Sequence, residues 1–111
     1  IILRSSLRSK KDYVALDDVL DLLPRIAARG RSSLYNVAGG RNISNARIVD
    51  RLRQLTGCSV RTASRAPVQT FSPVSIDRIV EEFGFKPSDP LVGLPSLGNT
   101  YSKSMEQSRS A

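Results

Sequence analysis

Apolar residues return along this chain at two spacings, and together they predict three helices joined by short extended segments. Val19, Leu22, Leu23, Ile26 and Ala27 share one helix face. Ile48, Val49, Leu52 and Leu55 repeat the pattern, and Ile76, Ile79, Val80 and Phe83 give it a third time. Before the first stripe, Asp12–Leu16 carries the β-formers Tyr13 and Val14 and reads as a strand. Leu34–Ala38 reads as a second strand. Cys58–Thr62, with Val60 inward, and Pro67–Phe71 read as further extended pieces. The order is strand–helix–strand–helix–strand–helix, which points to an α/β class with short connections.

Punctuation residues set the boundaries. Asp17 and Asp18 stand where carboxylates cap a helix and meet its positive end. Pro24 lies inside that first stripe, where it removes a backbone bond at a cost of roughly 3 kcal/mol. It predicts a kink or two short helices near Leu23. Gly30 is the expected stop. Ser44 caps a helix over Asn45–Thr56, and Gly57 closes it in the left-handed conformation. Ser75 caps a third helix over Ile76–Phe83, with Asp77 in its first turn, Gly84 at its end and Pro87 barring continuation. From Ser88 onward Pro90, Gly93, Pro95 and Gly98 break the regularity. Residues 101–111 are polar and are expected to form a disordered tail.

At 111 residues the chain is one domain or part of one. No apolar run approaches the roughly 18 residues of a membrane span. The opening Ile1-Ile2-Leu3 is too short for a signal-peptide core, and a chain that starts this way without Met reads as a fragment. Cys58 is the single cysteine, so no internal disulfide can form, which fits a reducing, cytoplasmic setting. With no His in the chain, zinc sites and His-dependent nucleophilic catalysis lose their usual residues.

The net charge is +7, and it is uneven. Residues 1–53 hold eleven Lys/Arg against five Asp/Glu, a net of +6, and residues 54–111 hold six against five, a net of +1. A basic half suits a phosphate-bearing ligand or simply a solvated surface.

Gly39-Gly40, between a strand and a capped helix, has two readings. It offers backbone N–H groups to an anion, or it is a tight turn needing a positive φ. It has neither the Gly-x-Gly-x-x-Gly spacing nor the Lys-Ser/Thr of a P-loop. Asp17-Asp18 suits capping better than paired acid/base work, because adjacent residues point apart. Tyr13 and Tyr35 sit among apolar neighbours, as packed tyrosines do.

Three segments together resemble the extended short-chain dehydrogenase/reductases, the NAD-dependent epimerase/dehydratase family. Lys11-Asp12-Tyr13-Val14-Ala15-Leu16-Asp17-Asp18-Val19 is similar to the family's Arg-Asp-Phe/Tyr-Val-x-Val-x-Asp-Val. Tyr35-Asn36-Val37-Ala38-Gly39-Gly40, with Ile43-Ser44, resembles its Tyr-Asn-Val-Gly-x-Gly and following Val/Thr-Ser cap. Ser75-Ile76-Asp77-Arg78-Ile79 through Glu82-Phe83-Gly84-Phe85-Lys86-Pro87 resembles its Asp-Ile-x-Lys-Ala … Glu-Leu-Gly-Trp-x-Pro block.

The resemblance implies the C-terminal portion of a Rossmann-type enzyme: the last sheet strand and flanking helices, plus part of a small substrate lobe. Residues 1–57 would end the nucleotide-binding domain and residues 58–100 would belong to the lobe. It implies an intact oxidoreductase, epimerase or dehydratase that uses NAD or NADP on a nucleotide-sugar and forms a homodimer, with no membrane attachment. Lys11 takes the place of the family's diphosphate-contacting Arg, and Arg65 that of its second phosphate-binding Arg. The family's acidic residue three positions after that Arg is Val68 here, and its late helix-cap Asp is Ser75. The glycine-rich cofactor turn has no counterpart. Nor does the catalytic Tyr-x-x-x-Lys: Tyr13, Tyr35 and Tyr101 are followed by Asp17, Gly39 and Met105. No catalytic, cofactor-binding or metal residue is therefore assigned, and these residues alone are expected to be inactive. The alternative is a stand-alone basic module for nucleic acid or another polyanion.

Overall fold

The computed structural model describes residues 1–110. Eight elements run through them: β1 (Ile2–Leu3), β2 (Lys10–Asp12), α1 (Leu16–Arg29), β3 (Asn42–Ser44), α2 (Asn45–Thr56), β4 (Arg61–Thr62), α3 (Asp77–Phe83) and α4 (Pro90–Ser110). The class is α/β, as expected. Its sheets are minimal. β1 lies parallel to β4, with Ile2 opposite Arg61 and Leu3 opposite Thr62. β2 lies antiparallel to β3, pairing Lys10 with Ser44, Lys11 with Ile43 and Asp12 with Asn42. A parallel bridge between Lys10 and Thr70 sets the segment after Pro67 beside β2.

α1 is amphipathic, and its inner face carries Leu22, which is fully buried against Ile79 and Phe85. Val14, Ile26, Tyr35, Val37, Ile76 and Phe83 surround that cluster. Each such aliphatic side chain contributes roughly 1.5–3 kcal/mol on leaving water. Ile43, Val49 and Val60 are buried on β3, on α2 and just before β4.

Of the two outcomes expected from Pro24, a kink or two short helices, the second does not occur: α1 is one continuous helix. Pro24 and Leu20 both face solvent, so water can serve the Leu20 carbonyl that the proline leaves without a partner. Its first turn also differs from the expectation. The N-cap position is Ala15, which supplies no side-chain bond, so Asp17 and Asp18 do not cap the helix; both lie in its first turn, where they meet its positive end as expected. Gly30 ends the helix in an extended conformation, not a left-handed one.

α2 follows its sequence signals residue for residue. Ser44 Oγ accepts the Arg47 N–H, and Gly57 closes the helix at φ 66°. In α3, Ile76 occupies the cap position, Ser75 Oγ accepts the Asp77 N–H at 3.4 Å, and Gly84 ends the helix at φ 62°.

Two further expectations fail, besides the first expected strand, which is Lys10–Asp12 and not Asp12–Leu16. Leu34–Ala38 forms no strand among the described residues. Its polar groups are taken by side-chain bonds: Arg78 Nη1 donates to the Leu34 carbonyl, and Asn36 Nδ2 donates to the Ser75 carbonyl. The sheet partner of β2 is instead Asn42–Ser44, just beyond the glycines. Second, the region after Ser88 is helical through Ser110, so residues 101–110 are not a disordered tail; Ala111 lies outside the described residues. Asp89 starts this helix. Its Oδ1 accepts the Leu91 N–H at 3.0 Å and its carbonyl accepts those of Val92 and Gly93, with Pro90 in the first helical position. Arg41 pairs with Asp89 at 2.9 Å, and Arg51 Nε donates to the Leu91 carbonyl, which docks α4 beside α2.

Candidate functional site

The strand–glycine–helix unit is the natural place to look for an anion site. Its donors are already satisfied from within. The Gly39 N–H donates to Asp12 Oδ1 at 2.6 Å, and the Gly40 N–H donates to Asp12 Oδ2 at 2.7 Å. Gly40 has φ 80°, and a Cβ on Gly39 would lie 2.5 Å from the Tyr13 carbonyl oxygen. Both glycines are therefore required by the backbone. At the start of α2, Asn45 N–H donates to the Ser9 carbonyl, Ala46 N–H to the Leu7 carbonyl and Arg47 N–H to Ser44 Oγ. The tight-turn reading of Gly39-Gly40 holds, and the loop's anion is a carboxylate of the chain itself.

Around this closed loop lies a basic rim. Lys11 is exposed on β2, with its Nζ 5.1 Å from the centroid of the Tyr13 ring. Arg65 is exposed in the turn after β4 that the Ala66-to-Ala63 backbone bond closes, and it holds φ 58°. No hydrogen bond or ion pair joins Lys11 to Arg65. The segment that follows Arg65 is bonded to β2 and the residues ahead of it, through Ser6 to Pro67, Ser9 to Gln69 and the Lys10–Thr70 bridge. Arg8, Lys10, Arg41 and Arg47 are exposed on the same loops and elements. Within the rim, Asn42 Nδ2 donates to the Phe71 carbonyl at 2.6 Å, while Asn42 Oδ1 is buried without a hydrogen-bond partner.

A second polar cluster joins α1, α3 and the loop between them. Glu82 Oε1 accepts the Arg31 N–H at 3.1 Å and the Tyr35 hydroxyl at 2.9 Å. Its Oε2 accepts the Ser32 hydroxyl at 3.2 Å. Burial pushes the Glu82 carboxyl up, but the bonds from Arg31, Tyr35 and Ser32 and the Arg31 charge together hold it below its ordinary value. Tyr35 in turn accepts the Ser32 N–H at 2.8 Å and packs against Phe83, with ring centroids 6.0 Å apart. Asp89 is also held below its ordinary value, first by the Leu91 N–H it accepts and then by Arg41 and Arg47. Among the described residues, no group of His, Cys, Asp and Glu gathers in a metal-holding arrangement. No described helix is long and apolar enough to cross a membrane.

This arrangement of elements has solved counterparts. The chain's α/β fold matches part of two solved enzyme structures. RMD from Pseudomonas aeruginosa, in complex with NADPH, superposes with a TM-score of 0.61 at 18% identity, over 82% of this chain and 31% of that one. dTDP-glucose 4,6-dehydratase from Bacillus anthracis str. Ames, in complex with NAD, gives a TM-score of 0.60 at 17% identity, over 79% of this chain and 29% of that one. The chain thus spans about a third of the length of either structure. No protein-family model matches the sequence, and no curated protein sequence matches it.

Lys11 and Arg65, the residues singled out from sequence as phosphate-binding, are both exposed; the cluster around Glu82 was missed. No motif announces it, because its members come from positions 25 to 35 and 82 to 83. The closest available signal was Arg25, Arg29 and Arg31 at helical spacing ahead of Gly30.

Proposed function

We propose that this chain acts as the C-terminal part of an NAD(P)-dependent oxidoreductase of the epimerase/dehydratase type, working on a nucleotide-sugar or related small molecule. The observation that carries the reading is the fold match over about four-fifths of the chain to two enzymes solved with NADPH and NAD. The three segments that resemble the family support it. They lie at the β2–α1 junction, in the Gly39-Gly40 turn ahead of β3 and α2, and on α3 with its glycine end, although the strand expected over Leu34–Ala38 is absent among the described residues.

In this reading, residues 1–57 complete the nucleotide-binding domain and residues 58–100 form part of the substrate lobe. Lys11 and Arg65 are the residues that would meet a diphosphate. Lys11 offers a point charge, whereas Arg65 offers a planar fork suited to two phosphate oxygens. The nicotinamide, when bound, supplies hydride chemistry; the acid/base pair and the glycine-rich cofactor turn would be encoded upstream of Ile1. The intact enzyme would be a cytoplasmic homodimer.

The experiment is to read the coding sequence upstream of Ile1 in frame, express that longer protein and this chain side by side, and measure NAD(P)H binding and turnover of nucleotide-sugars. The longer protein should carry a glycine-rich strand–turn–helix and a Tyr-x-x-x-Lys, and should bind cofactor. The 111-residue chain should do neither. Turnover by the short chain, or an upstream sequence without those motifs, overturns the reading.

A further inference from the structure

The C-terminal ends of α1 and α3 meet at a shallow pocket of about 300 Å³, lined by Arg25, Arg29, Arg31, Glu82 and Phe83. Its walls are fixed from behind. Arg25 Nη2 donates to the Phe83 carbonyl at 2.7 Å, and the guanidinium lies 5.8 Å from the Phe83 ring centroid. The Arg31 N–H is held by Glu82 and the Ser32 N–H by the Tyr35 hydroxyl. A Cβ at Gly30 would lie 2.6 Å from the Ile26 carbonyl oxygen and 2.9 Å from the Tyr35 hydroxyl. The turn that presents Arg31 is therefore closely packed. Arg25 and Arg29, one helical turn apart, share a side of α1.

Charge decides what such a pocket accepts. Glu82 is the one carboxylate in its lining, and Arg31, Ser32 and Tyr35 already donate to its oxygens. The two helix ends add about half a negative charge each. Against three guanidiniums this leaves an excess of about one positive charge. Asp21 approaches Arg25 at 3.8 Å, but its side chain is 80% exposed, so water screens the pair. Arg29 makes no hydrogen bond or ion pair among the described residues, so its planar fork is free to meet the oxygens of an anion. Arg31 Nε lies 3.9 Å from Glu82 Oε1, but the side chain is 83% exposed, which leaves its terminal nitrogens turned to solvent and able to join Arg29 on an anion.

We infer that this pocket binds the dianionic phosphate group of a small phosphate monoester, held by Arg25, Arg29 and Arg31 above the Phe83 ring. Its volume stands at the small end of ligand sites, enough for a phosphate and a few carbon atoms. It involves neither Lys11 nor Arg65, so it does not depend on the dehydrogenase reading.

The test is calorimetric titration of the full chain at low salt, with inorganic phosphate and with glycerol phosphate as probes. Both should bind saturably at one site per chain. Removing one charge-assisted contact corresponds to about a tenfold loss, so Arg29→Gln should weaken both by about that factor, and Arg4→Gln, at an exposed arginine outside the pocket, should leave them unchanged. Arg29 supports no other group, so its variant should fold normally, which a matching circular dichroism spectrum checks. Tighter binding of glycerol phosphate would identify an organic monoester as the source of the phosphate. Non-saturable binding, failure of glycerol phosphate to bind, or equal losses in Arg29→Gln and Arg4→Gln would overturn the inference.

Discussion

Asp12 Oδ2 accepts the Gly40 N–H at 2.7 Å, while its other oxygen accepts the neighbouring Gly39 N–H. The pair joins β2 to the turn before β3 across residues 27 and 28 positions apart. A carboxylate that accepts two aligned amides is a strong latch, because hydrogen bonds to a charged group contribute about 1.5–3 kcal/mol each. Asp12→Ala should therefore lower stability by about 3 kcal/mol, and Asp12→Asn by less, since one acceptor remains. Urea denaturation measures both. A loss below about 1 kcal/mol for Asp12→Ala would show that the latch is ornamental.

The Glu82 cluster predicts a pH dependence. Its carboxyl is held below the ordinary value, so the unfolded chain binds the more protons in acid. Stability from this group is complete above the unfolded carboxylate value, about 4.3. It disappears as pH falls through the lower, folded value. Asp89 acts in the same direction. Urea midpoints at pH 6 and pH 3 should differ less in Glu82→Gln than in the parent. An unchanged difference would mean that Glu82 titrates alike in both states.

α4 should be a helix of unequal halves. Its start is fixed by Asp89 and Arg51, whereas none of its residues is buried and Pro95 interrupts it. An exposed helical stretch without packing is marginal in water. Amide hydrogen exchange should be fast over Tyr101–Ser110 and slow at Val49 and Leu22. Protection of both halves at the level of α2 would require a covering partner.

Arg65 holds φ 58°, a conformation that costs a bulky residue about 1 kcal/mol or more. Asn tolerates it. Arg65→Asn should raise stability by up to about 1 kcal/mol, and under the proposed function it should also weaken binding of a phosphate-bearing substrate. A variant that is no more stable would show that the turn relaxes around the arginine.

The legible parts of this fold were those whose signals are local. Ser44, the stripe through Val49, and Gly57 name α2 without help from elsewhere. The Asp89-Pro90 pair was also a local start signal, but Gly93, Pro95 and Gly98 obscured it. Leu34–Ala38 shows the opposite case. A strand needs a partner, and the apolar run cannot say whether one is present. Asp17 and Asp18 looked like caps because acidic residues favour that end of a helix, yet Asp18 instead receives the Ser88 N–H and hydroxyl. The anion role of Gly39-Gly40 could not be excluded from sequence, because the carboxylate that fills it comes from Asp12. The Arg25–Glu82 surroundings are still less local, since folding alone brings those two stretches together.

The partners of α1 also set an order of events during synthesis. Leu22 packs on Ile79 and Phe85, Arg25 reaches Phe83 across 58 positions, and Asp18 reaches Ser88 across 70. Val14, Tyr35 and Val37 are near α1 in sequence, but the buried partners of Leu22 follow more than fifty residues later. The helix waits as an amphipathic segment with its apolar face in water, and its closure is a late, long-range step of the kind that slows folding. A nascent chain halted before Ile79 should therefore remain a substrate for holding chaperones, and one released after Ser88 should not.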